Sequence, residues 1–222
     1  VKSISPQTVT VFHSLHTTDG LVDCPAFDST DDMAALARRW LDSLAPYWEG
    51  VQADYFELMN ECGSTLEKQT QFSIEAMRLA NEQGRCLLLF SFAAGMPAAN
   101  EFGVMVPAIQ YAMQNPCQPG RTHGIAMHAS SLEDDVLLSE ASPWMALRFR
   151  PMREAWLRSL PEAADFPIFL TEVGVGGGGA LNTPPCDMVV RHGIQNTYLL
   201  EHDPTVQGFH YWSFGPDTPW YD

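Results

Sequence analysis

Hydrophobic and polar positions follow two alternating periods along the chain. Short runs rich in β-branched, aromatic or leucine residues predict strands, and longer segments with apolar residues every three or four positions predict helices. Six predicted strands alternate with five predicted helices. The strands are TVTVFHSLH, ADYFELMNE, RCLLLFSF, HGIAMHA, FPIFLTEVGV and VQGFHYWSFG. The helices are STDDMAALARRWLDSLAPYW, STLEKQTQFSIEAMRLANEQG, GVMVPAIQYAMQN, PMREAWLRSL and DMVVRHGIQNTYLLEHD.

Local signals predict where the first two helices begin and end. Ser29 or Thr30 is a suitable N-cap for the first helix. Ser64 and Glu67 have the spacing of a capping box for the second. Gly84 follows that helix, where a left-handed residue is common.

The strict alternation of strands and helices predicts parallel strands. Two architectures fit this pattern, an open doubly wound sheet and a (β/α)8 barrel. The open sheet would carry a phosphate-binding loop after its first strand, and HSLHTTDG does not look like one. We therefore expect an α/β fold, a (β/α)8 TIM barrel that is incomplete, with about strands 3 to 8 present. Residues 1–222 would form a single catalytic domain lacking about two N-terminal strands and a C-terminal helix.

Composition is that of a globular protein, with 222 residues, 45% of them hydrophobic and 18% charged. The formal net charge of −15 argues against nucleic acid and anionic membrane surfaces as partners. No apolar run reaches the roughly 20 residues of a membrane-spanning helix. The chain shows neither a signal peptide nor an initial Met, so both a secreted and a cytoplasmic location stay open, as does the oligomeric state.

The five cysteines are an odd number with wide spacings and no CxxC pair. This pattern gives weak support to a zinc or redox motif and favours buried or partly buried thiols. The cysteines are Cys24, Cys62, Cys86, Cys117 and Cys186.

Polar or aromatic residues stand where each predicted strand ends. In a parallel barrel the active site lies at the carboxyl ends of the strands, so these side chains would share one rim. They are His13, His16, Asn60, Glu61, Ser91, His128, Glu172, Trp212 and Ser213.

Two carboxylates at one rim suit the cleavage of a glycosidic bond. One carboxyl group must be protonated to donate to the leaving oxygen, and the other must be ionised to attack the anomeric carbon or to activate water. Their surroundings must therefore separate the two pKa values. Glu61 and Glu172 are the candidates.

Three motifs in this order, FELMNECG, FLTEVG and HYWSFG, resemble those of the clan A glycoside hydrolases, the cellulase-like (β/α)8 retaining enzymes. The resemblance implies that Asn60 and Glu61 end the fourth strand, with Glu61 as acid/base. It implies that Glu172 ends the seventh strand as nucleophile and that Trp212 ends the eighth and floors the sugar site. The His-x-Tyr that the clan often has reads His128-Ala129-Ser130 here.

The implied activity is a retaining O-glycoside hydrolase that cleaves a β-linked oligo- or polysaccharide by double displacement. The two carboxyl groups would lie about 5–5.5 Å apart. Asn60 would bind the sugar 2-hydroxyl, and His128 would orient Glu172 or bind substrate. No cofactor or metal is implied.

Further side chains are candidates for contacts with a carbohydrate substrate. Flat aromatic faces suit the C–H faces of sugar rings, which favours Tyr211 and Trp144 as additional platforms. His16 is a candidate substrate contact, because no carboxylate cluster accompanies the His13–His16 pair to make a metal site. The Gly176–Gly179 run is more typical of a flexible loop than of a phosphate cradle.

Two other functions remain open from the sequence. Glu61, His128 and Glu172 could hold a divalent ion in a metal-dependent sugar isomerase or hydrolase. A non-catalytic carbohydrate-binding relic is the third possibility, because missing strands would leave sheet edges open.

Overall fold

The computed structural model describes residues 6–13, 23–131, 146–175 and 185–211. Within these ranges it confirms the predicted alternation of six strands and five helices. The strands are β1 (Val11–Phe12), β2 (Tyr55–Glu57), β3 (Leu87–Phe92), β4 (Gly124–Ser131), β5 (Ile168–Val175) and β6 (Val206–Tyr211). The helices are α1 (Met33–Trp48), α2 (Leu66–Asn81), α3 (Val106–Gln114), α4 (Phe149–Leu157) and α5 (Pro185–His202).

The six strands are parallel and follow one another in the sheet in chain order, β1-β2-β3-β4-β5-β6. A doubly wound sheet would reverse its strand order at a switch point. The observed order is that of consecutive βα units and is consistent with an incomplete TIM-like barrel. Among the described residues, no helix combines the length and the apolar character that a bilayer crossing requires.

Both predicted N-caps are wrong by one or more residues. Asp32 caps α1, because its carboxylate accepts a hydrogen bond from the Ala35 N–H at 2.9 Å. Thr65 caps α2 by accepting from Lys68. Moving the cap from Ser64 to Thr65 puts Glu67 at the second helical position, where it cannot complete a capping box. The left-handed residue after α2 is confirmed, with Gly84 at φ +63°.

By its internal contacts the chain divides into two compact units. The first unit comprises Val1–Ser91 and Gly103–Ile125, and the second comprises Phe92–Phe102 and Ala126–Asp222. Residues 87–90 of β3 are fully buried in the first unit, and α2 also contributes a buried face to that unit. In the second unit the buried Trp156 of α4 packs edge-on against Phe166, with ring centroids 6.1 Å apart.

The expectation of free thiols is wrong for four cysteines. Cys24 is bonded to Cys62, and Cys86 is bonded to Cys117, both within the first unit. Wide spacing hid these pairs, because cysteines 38 and 31 residues apart carry no local motif. Disulfides are typical of proteins that fold in oxidising compartments.

Candidate active site

Asn60 and Glu61 do not end their strand, contrary to the prediction, because β2 stops at Glu57. Asn60, Glu61 and Cys62 follow two residues later in a bend, which we call the acid turn. The Asn60 N–H donates to the Asp23 carbonyl at 2.9 Å, and the Glu61 N–H donates to the Ser91 carbonyl at 3.0 Å. Consecutive residues of the turn are therefore tied to two separate segments of the first unit. The side chain of Glu61 is exposed while its backbone is fixed.

Covalent and side-chain contacts hold the end of the acid turn. The Cys24–Cys62 disulfide joins it to the segment before α1. The Gln69 side-chain amide, on the first turns of α2, donates to the Cys62 carbonyl at 2.9 Å. These contacts limit the freedom of the residue next to Glu61.

Among the described residues, the non-glycine residues with positive φ angles lie at the acid turn and near the end of β3, to which the turn is hydrogen-bonded. Glu61 has φ +48°, and Phe90 and Ser91 have φ +73° and +43°. Such angles are unfavourable for non-glycine residues, by about 1–3 kcal/mol each, and persist only where surrounding contacts enforce them. They are often found at functional sites.

A buried acid that the sequence analysis did not single out lies at the end of β2. Glu57 accepts hydrogen bonds from His13 Nδ1 at 2.6 Å and from Ser91 Oγ at 2.5 Å. The sequence signal was a single charged residue inside the apolar run YFELM. A buried carboxylate of this kind is rare unless it is paired.

A small cavity of about 10 Å³, the size of one water molecule, lies behind the acid turn. Among the residues that line it are His13, Glu57 and Asn60. Asn60 Oδ1 is buried and has no hydrogen-bond partner within the described parts of the chain. This oxygen therefore retains hydrogen-bonding capacity in the protein interior.

In the second unit the structure brings His128 and Glu172 together. His128 lies in β4 and is 3% exposed, whereas Glu172 lies in β5 and is half-buried. His128 Nδ1 is 3.5 Å from Glu172 Oε2. This distance places the ring nitrogen and the carboxylate oxygen within ion-pair range.

Glu172 does not end its strand, contrary to the prediction, because β5 continues to Val175. The register between β5 and β6 shifts at this point. Leu170 is opposite Phe209 and Val173 is opposite Tyr211, so three steps along β5 match two along β6. This irregularity at residues 171–172 is a β-bulge, a feature that redirects side chains near active sites.

The remaining predicted substrate contacts are described only in part. Tyr211 is the last residue of β6, and only its backbone is described. His16, Trp144 and Trp212 lie outside the described residues, as does the Gly176–Gly179 run.

Comparison with known proteins gives a similarity in fold without a similarity in sequence. No protein-family profile matches the chain, and no curated protein matches it. A bacterial orthologue of human α-L-iduronidase has a similar structure, with a TM-score of 0.55 and 11% sequence identity over 86% of this chain. The chain spans 34% of the length of that protein. At this identity the similarity establishes the fold alone.

Proposed function

We propose that this chain carries the active-site segments of a retaining glycoside hydrolase, with Glu61 as acid/base and Glu172 as nucleophile. The observation that carries the proposal is a sheet of parallel strands in chain order. The acid turn follows β2 after two residues, and Glu172 of β5 lies beside His128 of β4. The carboxyl ends of parallel strands open onto one edge, where such folds place their catalytic residues. The similarity in fold to the iduronidase orthologue also supports a glycosidase function, without specifying the mechanism or the substrate.

The surroundings of Glu61 suit an acid/base. The residue must reach the leaving oxygen and later accept a proton from water, so its carboxyl group needs access to solvent. Glu61 is exposed on a turn whose backbone is anchored to Ser91. A fixed backbone with an accessible side chain keeps the carboxyl group in place without burying it.

The surroundings of Glu172 suit a nucleophile. It is half-buried and lies 3.5 Å from a ring nitrogen of His128. Partial burial strengthens this electrostatic interaction. The nucleophile must attack as a carboxylate with a defined orientation, and the neighbouring imidazole is suited to orient it.

The reaction would proceed in two balanced steps. A Glu172 oxygen attacks the anomeric carbon, the bond to the leaving oxygen breaks, and the Glu61 proton goes to that oxygen. In the second step Glu61 takes a proton from water, whose oxygen attacks the anomeric carbon and breaks the ester to Glu172. Asn60 would bind the sugar 2-hydroxyl in both steps.

We propose a β-linked oligo- or polysaccharide as substrate. The structurally similar protein is named for an α-L-iduronide. An α-L-iduronide and a β-D-glucuronide share the configuration at the anomeric carbon and differ only at C5. The two substrate classes therefore require the same direction of attack.

The proposal is tested with aryl β-D-glucuronide, β-D-glucoside and α-L-iduronide. Release of the phenol, with ¹H NMR showing that the first-formed sugar keeps its anomeric configuration, is the expected result. Activity lost with EDTA and restored by a divalent cation would instead favour the metal-dependent alternative. Sugar binding without turnover would favour the carbohydrate-binding alternative.

A further inference from the structure

Glu57 carries a buried carboxylate at the end of β2. Its side chain is 2% exposed, and both carboxylate oxygens accept hydrogen bonds. His13 Nδ1–H donates to Oε2, and Ser91 Oγ–H donates to Oε1. An ionised carboxylate this deeply buried requires such partners, because losing one leaves a charge that water cannot reach.

Ser91, one of these two partners, is also hydrogen-bonded to the proposed acid/base, Glu61. The carbonyl of Ser91 accepts the Glu61 N–H at 3.0 Å, and Ser91 is held at φ +43°. The hydroxyl bonded to Glu57 and the carbonyl bonded to Glu61 belong to the same residue. Glu57 therefore restrains the residue that positions the Glu61 backbone.

His13, the other partner, lines the same small cavity as Asn60. Accepting at Oε2 requires a proton on His13 Nδ1, so an ionised Glu57 selects that protonation state of the imidazole. His13 and Asn60 line the same cavity. Glu57 thereby fixes both the orientation of the His13 ring and the location of its proton.

We propose that Glu57 is a positioning residue, which holds Glu61 through Ser91 and orients His13 beside Asn60. Its catalytic significance rests on the function proposed above. A carboxylate that served only to stabilise the fold would affect unfolding without affecting either of these two groups.

The substitution that separates these roles is Glu57→Gln. Its amide oxygen can still accept from Ser91 Oγ, whereas its NH₂ group faces His13 Nδ1 with a donor and shifts the ring proton to Nε2. We expect kcat on the aryl glycoside to fall about 10²-fold with a small change in KM, because the substituted group orients rather than binds. Ser91→Ala breaks only the other connection and should lower kcat roughly tenfold. The exposed Glu67→Gln is the matched control and should leave kcat unchanged.

Two readouts do not depend on turnover. The ¹⁵N shifts of the His13 ring should show a proton on Nδ1 in the parent chain and on Nε2 in Glu57→Gln. Hydrogen exchange at the Glu61 amide should be faster in Ser91→Ala than in the parent chain. This variant still tests the proposal if Glu57→Gln does not fold. Unchanged kcat in both variants, or an unchanged His13 ring and Glu61 amide, would overturn the proposal. If no aryl glycoside is hydrolysed, the proposed function fails and these two readouts alone decide the positioning role.

Discussion

The two proposed catalytic glutamates are held by different means. Glu61 is an exposed side chain on a backbone fixed by a hydrogen bond to Ser91 and by the disulfide of the adjacent Cys62. Glu172 is a half-buried side chain within a strand, at a bulge and beside His128. One acid is positioned through its backbone, and the other through its strand and a side-chain neighbour.

This difference matches the two tasks of a retaining glycosidase. An acid/base must exchange its proton with the leaving group and with water, so an anchored backbone with an accessible carboxyl group is suitable. A nucleophile must stay ionised and aimed, so a sheltered position beside an imidazole is suitable.

Glu172→Gln should have the largest effect. Without the nucleophile no covalent intermediate forms, and we expect kcat to fall about 10⁴-fold or more, even with a highly activated aryl leaving group. Steady-state kinetics with a dinitrophenyl glycoside would measure this loss. Retention of more than a few per cent of turnover would contradict the assignment.

Glu61→Ala should have an effect that depends on the leaving group. General acid catalysis contributes about 10²- to 10⁴-fold, and a dinitrophenolate needs little protonation to depart. We expect a large loss with an unactivated glycoside and a smaller one for glycosylation with the dinitrophenyl substrate. Added azide should accelerate the second step, because it needs no general base. An equal loss on both substrates would mean that Glu61 is not the acid.

The two disulfides of the first unit allow a matched comparison. Their sequence separations of 38 and 31 residues are similar, so replacing either pair by serine should lower the free energy of unfolding by about 4 kcal/mol. Urea unfolding would measure this change.

Only the disulfide at the acid turn should also affect turnover at a temperature where both variants are folded. We expect Cys24→Ser with Cys62→Ser to lower kcat roughly tenfold or more, because displacing a catalytic group slightly is enough. Cys86→Ser with Cys117→Ser should leave kcat unchanged. Equal kcat values for the two variants would mean that the disulfide does not position Glu61.

The smallest expected effect is on the pH dependence of the free energy of unfolding. It concerns His123, a residue of the first unit outside the acid turn. Burial lowers the pKa of His123 to about 4, and its Nδ1 accepts from the Leu87 N–H at 3.0 Å while Nε2 lies 2.9 Å from Asn81 Oδ1. The folded state keeps the ring neutral, whereas the unfolded chain protonates it near pH 6.5. The associated stability is fully present above pH 6.5 and is lost as the pH falls towards 4, by about 3 kcal/mol.

Urea unfolding between pH 7 and pH 4 would measure this slope. His123→Gln cannot gain the proton and should flatten it, even if it lowers stability at pH 7. The exposed His202→Gln is the control and should keep the slope of the parent chain. A parent slope that survives His123→Gln would assign the pH dependence to other groups.

The order of elements was predictable from the sequence because each segment has a single period and clear apolar runs. The Leu87–Phe92 strand and the α2 helix are examples. The N-caps were misplaced because several capping residues adjoin at each helix start, residues 29–32 before α1 and Ser64 with Thr65 before α2, and only the backbone decides which one caps.

The site was predictable only in part. Acids that follow apolar runs of predicted strands indicated Glu61 and Glu172, but no local pattern revealed the Cys24–Cys62 disulfide beside one of them. The bulge at Glu172 depends on the pairing of β5 with β6, which follows only after the intervening helix α5. The partners of Glu57 lie 44 and 34 residues away along the chain, so only the fold shows that this acid is paired.

The proposed mechanism depends most directly on which carboxylate forms the covalent bond to the sugar. Incubation with a 2-deoxy-2-fluoro glycosyl fluoride, followed by proteolysis and tandem mass spectrometry, would identify that residue. We expect one label per chain, on the peptide containing Glu172, and no label in Glu172→Gln. A label on Glu61 or on any other residue would contradict it.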